Sequence, residues 1–151
     1  MKSAQRKKSR EFQYWHLART GTSQAEIARS FAPDEPTRQA VNKAVRNQVQ
    51  KQLLRLLDAA ETAGVLVEWQ DATIGVLVGV SPQLGGLASI FIVDASDRVQ
   101  LFYDQSGNTD ESAKAQVQSR LTATLKSVLG LEVPSAATIL DVIEAIVESR
   151  R

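Results

Sequence analysis

The apolar positions of this chain change period twice. From Glu11 to Ala63 they recur at helical spacing, from Val65 to Tyr103 they alternate, and from Thr109 onward the helical spacing returns. In the first stretch, Phe12, Trp15, Leu17 and Ala18 predict a helix over Glu11–Arg19, with Gly21 as its C-terminal cap. Ser23 and Glu26 form a capping-box pattern ahead of Ile27, Ala28 and Phe31, which predicts a second short helix. Thr37 can cap a third start. Neither Gly nor Pro occurs between Thr37 and Ala63, and Val41, Val45, Val49, Leu53, Leu56 and Ala60 form a stripe along that segment. Leu54, Leu57 and Ala63 widen the stripe at its end, and Gly64 stops it. One long helix is expected, or two with a break near Asn47.

The β-branched stretch predicts four strands: Val65–Trp69, Thr73–Val80, Leu87–Val93 and Arg98–Tyr103. Short turns at 70–72 and 94–97 and a longer loop at Ser81–Gly86 connect them as an antiparallel meander. The two central runs are apolar enough for cover on both faces. Asn108 and Glu111 resemble another capping box, before a helix to Leu129 that presents Ala113, Val117, Leu121, Leu125 and Val128. Pro134 and Ser135 introduce a last helix, with Ile139, Val142, Ile143, Ile146 and Val147 inward. The expected fold class is α+β. A three-helix head with a long third helix precedes a four-stranded antiparallel sheet and two C-terminal helices.

Charge sharpens this division. The net charge of +1 hides 12 Lys and Arg against 4 Asp and Glu in residues 1–55, and 6 against 13 in residues 56–151. A basic half of this kind suggests contact with nucleic acid or another polyanion. Residues 1–10 hold Lys2, Arg6, Lys7, Lys8 and Arg10 without a large apolar side chain, and read as a disordered basic arm. Three regions follow: the arm at 1–10, a head with its long helix at 11–63, and an α+β unit at 64–151.

The segment S-Q-A-E-I-A-R from Ser23, followed by T-R-Q-A-V-N-K-A-V from Thr37, resembles the helix-turn-helix of prokaryotic transcription regulators. The resemblance covers residues 12–46. Ala32 stands at the turn position and Thr37 at the cap of the recognition helix, and Pro33–Pro36 makes the turn longer than the usual pattern. The resemblance implies a sequence-specific regulator of double-stranded DNA, acting as a homodimer in a prokaryotic cytoplasm. Arg38 and Gln39 would meet base edges, with Asn42, Lys43 and Arg46 next. Arg6, Lys7, Lys8, Arg10, Arg19 and Arg29 would contact phosphates. Leucines beyond the needs of one stripe, Leu53, Leu54, Leu56 and Leu57, would form the dimer contact. The α+β unit would dimerise, bind a small ligand or hold a protein partner.

Other chemistry is weakly supported. There is no Cys and a single His, His16, so neither a disulfide nor a His/Cys metal cluster is available. The run from Asp104 to Asp110 has oxygen-bearing side chains at spacings like those of a calcium loop. However, Thr109 stands where the sharp turn needs Gly, and Ala115 where the last ligand should be. Gly85–Gly86 lacks the Lys-Ser/Thr of a phosphate loop. An enzyme acting on nucleic acid would rest on Asp94, Asp97 or Asp104 with a divalent metal. A protein-interaction module that keeps the helix-turn-helix fold is the other alternative. No enzyme activity and no cofactor is expected, and no apolar run approaches the roughly 20 residues that span a bilayer.

Overall fold

The computed structural model describes the backbone of residues 2–105, 107–134 and 137–150, and their side chains from Arg10 onward. Five helices and four strands follow in the order α1 (Lys2–Arg19), α2 (Gln24–Ser30), α3 (Arg38–Thr62), β1 (Leu66–Asp71), β2 (Val76–Ser81), β3 (Leu87–Val93), β4 (Val99–Tyr103), α4 (Glu111–Leu129) and α5 (Ile139–Ser149). The fold is α+β, as expected. The basic segment does not form a separate arm: its backbone is helical and continuous with α1. Residues 2–19 contain no Gly or Pro to interrupt that helix, and Lys, Arg, Gln and Ala favour it.

The caps account for most helix boundaries. The Ser23 hydroxyl accepts from the Glu26 N–H at 3.2 Å, and the Thr37 hydroxyl from the Ala40 N–H at 3.0 Å. Helix α3 then runs unbroken for 25 residues. Past its end Gly64 adopts φ +69°, a left-handed conformation that favours glycine at the stop. The cap of α4 is Asp110, not Asn108: its carboxylate accepts from the N–H groups of Ser112 and Ala113. Asn108 instead accepts from the Asp110 N–H and shapes the turn before the cap. Thr138 and Asp141 close a reciprocal capping box on α5 that the sequence reading did not include. Ser135, expected beside that start, lies outside the described residues.

The sheet is a meander in the order β1-β2-β3-β4, every pair antiparallel. Its period-two alternation feeds two separate cores. Val76, Val78, Ile90, Ile92 and Phe102 pack with Leu121, Leu125 and Val128 of α4 and with Ile139, Val142 and Ile146 of α5. On the other side Leu77, Phe91 and Val93 pack with Trp15 of α1 and with Leu56 and Ala60 of α3. The sheet is therefore sandwiched between helix layers, and the long helix supplies the second cover. A third, smaller core holds the head together through Tyr14, Ile27, Ala28, Val41 and Ala44.

This layering changes the role of α3. Its buried seam is Val41, Ala44, Gln48, Gln52, Leu56 and Ala60, so two glutamines take places where the apolar stripe suggested Val49 and Leu53. Leu56 is fully buried in the core, which corrects its assignment to a dimer contact, whereas Leu54 remains 67% exposed. Leu53 and Leu57 are half-buried. Among the described residues, no helix is long and apolar enough to cross a membrane.

Candidate nucleic-acid interface

Helices α1 and α2 pack against the first half of α3 and leave its outer face bare. Arg38, Gln39, Lys43 and Arg46 are all exposed, and Asn47 and Gln50 extend the same face. Those two residues were missed because they lie beyond the motif, although helical periodicity places them in line with Gln39, Lys43 and Arg46. Thr37 is exposed, with its hydroxyl engaged in the cap. Asn42 differs from the others: it is half-buried, and its Oδ1 accepts from the Gln24 amide at 2.9 Å. That bond ties α2 to α3 and engages the Asn42 carbonyl oxygen.

The cations expected at phosphates separate into groups. Arg29 is exposed on α2. Arg10 is exposed too, but its guanidinium lies 5.3 Å from the centroid of the Phe31 ring and donates to the Asp34 carbonyl at 3.4 Å. It steadies the turn between α2 and α3. Arg6, Lys7 and Lys8 lie on the helical backbone of α1, and their side chains are outside the described part of the structure.

Arg19 is not on this surface, and its assignment to a phosphate contact is corrected. It is 3% exposed, donates through Nη1 to the Val93 carbonyl at 2.8 Å, and lies 4.1 Å from the Trp15 ring centroid. Burial lowers its pKa to about 10, against the charges of Asp94 and Asp97, which raise it. Its Nη2 donates to Nδ1 of His16 at 2.8 Å. Trp15 is fully buried and donates from Nε1 to the Ala72 carbonyl at 3.3 Å. The β1–β2 turn closes over that indole: Gly75 has φ +73°, and a Cβ there would stand 2.9 Å from Trp15 Cη2. One face of α1 therefore fastens the head to the sheet. Tyr14 also turns inward, edge-on to Phe31 with ring centroids 4.7 Å apart, which removes it as a stacking group for nucleic acid.

The acidic residues of the β3–β4 turn have structural partners. Arg55 pairs with the Asp97 carboxylate, its Nη2 donates to the Asp97 carbonyl at 2.6 Å, and Gln52 donates to Asp97 Oδ1 at 3.1 Å. Asp94 is 8% exposed and accepts from the N–H groups of Ser96 at 2.8 Å and Arg98 at 3.1 Å. Among the described residues, no three acidic, His or Cys side chains are grouped to hold a metal ion. Of the described residues expected to meet nucleic acid, Arg10, Arg29, Thr37, Arg38, Gln39, Lys43 and Arg46 are exposed. Compared with known proteins, the chain matches no described family, no curated protein and no solved structure.

Proposed function

We propose that the chain is a sequence-specific DNA-binding protein, a transcription regulator of the cytoplasm that works as a homodimer through its helix-turn-helix head. The observation that carries this reading is the exposure of Arg38, Gln39, Lys43 and Arg46 on the first turns of one rigid helix, with the opposite face held by α1 and α2. Arg and Gln offer paired donor and acceptor geometry to guanine and adenine edges, and Lys43 and Arg46 add charge where a helix approaches phosphates. Arg29, Arg10, Arg6, Lys7 and Lys8 supply further positive charge on the same half of the chain. Pairing through Leu54, flanked by Leu53 and Leu57, would set two reading helices on half-sites about one helical turn apart.

The test is affinity for duplex DNA across a salt series. Log K should fall linearly with log salt concentration, with a slope near −0.9 per phosphate neutralised. Lys43→Glu/Arg46→Glu should abolish binding. A flat salt response, or full binding by the double variant, would remove the proposal.

A further inference from the structure

The sheet has two edges, β1 and β4, and they differ. The ladder of β1 shifts register between Val67 and Trp69, an irregularity that spoils an edge for further pairing. β4 pairs with β3 without a break from Val99 to Tyr103, and its sequence V-Q-L-F-Y holds neither Pro nor a charge. The Asp94 N–H donates to the Arg98 carbonyl at 2.9 Å, and the Asp104 N–H to the Ala88 carbonyl at 3.0 Å. The main-chain groups of Arg98, Gln100, Phe102 and Asp104 therefore face β3. Because an antiparallel ladder alternates, those of Val99, Leu101 and Tyr103 face the free edge. The side chains of Leu101 and Tyr103 are exposed.

Both helix layers stand back from this edge. Between β4 and the end of α3 lies a cleft of about 320 Å³, lined by Ala59, Ala63, Phe91, Val99 and Leu101. Between β4 and α4 lies another of about 570 Å³, whose lining includes Arg98 and Arg120 and, among the described residues, no carboxylate. A further strand at the usual spacing of about 4.8 Å would sit between the two clefts.

A two-fold axis through the edge allows few registers. Centred on Leu101, it pairs Leu101 with its own copy and Val99 with Tyr103, so every outward residue exchanges both main-chain bonds. Centred on Gln100 or Phe102, it leaves Tyr103 or Val99 beyond the end of the other strand. The Leu101 register also sets Arg98 opposite Asp104 of the second copy, on the face that carries α4. Each has a neighbour in its own chain: the Arg98 guanidinium lies 3.7 Å from the Asp94 carboxylate, and Asp104 has a partner as well. Pairing adds a second opposite charge beside a side chain that is 74% exposed, and opposite charges facing each other across strands are favourable where like charges are not. We propose that β4 is a docking edge for a second copy of this chain, which joins the two sheets antiparallel about Leu101. The contact is separate from Leu54 on α3 and rests neither on that pairing nor on the DNA-binding reading. An edge this short makes a contact of the weak, transient class, which forms at high protein concentration.

The experiment uses the full chain carrying Leu54→Glu, a background without the α3 contact. In sedimentation equilibrium from about 10 μM to about 1 mM, the range that reveals weak association, monomer should give way to dimer. Over the same range hydrogen exchange at the Leu101 and Tyr103 N–H groups should slow, while Gln100 and Phe102, bonded to β3, stay protected throughout. Leu101→Pro removes an outward N–H that β3 does not use, so it should fold yet remain monomeric. Arg98→Asp should weaken association roughly two- to thirtyfold, since the two-fold repeats the pair, and adding Asp104→Arg should restore it. These positions stand about 20 Å apart along one strand, so one compensates for the other only across two copies. This reversal decides the matter even if Leu101→Pro fails to fold. The proposal is overturned if the background chain stays monomeric to about 1 mM, or if it dimerises with exchange at Leu101 unchanged. It is equally overturned if folded Leu101→Pro dimerises like its parent, or if the double reversal associates no better than Arg98→Asp alone. Failure of the Leu54 contact would leave each of these readings as it is, and with no DNA present none bears on the DNA proposal.

Discussion

The guanidinium of Arg19 donates to the main-chain carbonyl of Val93 at 2.8 Å, joining the last residue of α1 to the last residue of β3. The bond is buried and bridges the head and the sheet. It also places a cation against the indole of Trp15, so that charge, hydrogen bond and packing act at one junction.

Arg19→Ala should therefore destabilise the fold by about 3 kcal/mol or more, from a buried carbonyl left unpaired and a cavity beside Trp15. Arg19→Met keeps an apolar stem over the ring and removes a charge that burial disfavours, so its loss should be smaller. Urea midpoints of the three chains rank these outcomes. An alanine variant as stable as wild type would show that the junction carries no net energy.

Stability should fall in mild acid, and His16 is the reason. A guanidinium only donates, so His16 Nδ1 accepts from Arg19 Nη2 and the ring is neutral with its proton on Nε2. Burial first, and then the charge of Arg19, holds its pKa below the ordinary 6.5. Near that ordinary value the unfolded chain gains a proton that the folded chain refuses. Stability is then full above it, declines as pH drops toward the folded-state value, and levels off below. Asp94 adds a later loss. Burial raises its pKa, but the Arg98 N–H, the Gln100 amide, the Ser96 N–H and the Arg98 charge outweigh burial and leave it below 3.8. Its contribution is present above that ordinary value and disappears as pH falls through the folded-state pKa. Unfolding free energies of wild type and His16→Gln, measured from neutral pH down to about pH 3, should differ in the upper step and share the lower one.

At the proposed interface, Arg38→Ala and Gln39→Ala should relax sequence preference, each lost base contact costing on the order of 1–3 kcal/mol. Arg29→Ala and Lys7→Ala should weaken binding evenly for all sequences and reduce the salt slope by about one each. Competition binding with specific and random duplexes separates the two patterns. Uniform weakening in all four variants would move the reading surface away from α3.

Two leucines two positions apart, Leu54 and Leu56, should behave oppositely. Leu54→Glu alters a side chain that is 67% exposed and should convert a dimer to a monomer near 16.5 kDa without unfolding it. Leu56→Glu puts a charge into the core and should unfold the chain. Sedimentation and circular dichroism distinguish these results. A wild type that already sediments as a monomer would end the dimer proposal.

Much of the architecture was legible along the chain. Ser23 and Thr37 mark helix starts, Gly64 a stop, and the alternation from Val65 to Tyr103 the four strands, because each signal depends on residues within one turn or one pleat. The start of α3 was legible for the same reason: Gln39, Lys43 and Arg46 share an outer face by helical period alone, and Arg38 is exposed beside them on the first turn. The buried glutamines of the α3 seam, Gln48 and Gln52, carried no such signal, since glutamines in a polar segment look like any solvated surface.

Residue type and local period thus determined the elements, their order and which strands alternate. Tertiary contacts decided which face of each element is inside. A helical stripe says that one face of α3 packs, but its phase follows from what it meets. The Asp97 turn gives the buried Gln52 a hydrogen-bond partner, while Leu54 faces outward. Likewise, an Arg at a helix end reads as a surface cation until the sheet brings a carbonyl 74 residues away against it. Such contacts join segments distant in sequence and depend on charge, acceptor and ring arriving at one point. No local pattern records that convergence, so the burial of Arg19 and the joining of head to sheet belong to the folded chain alone.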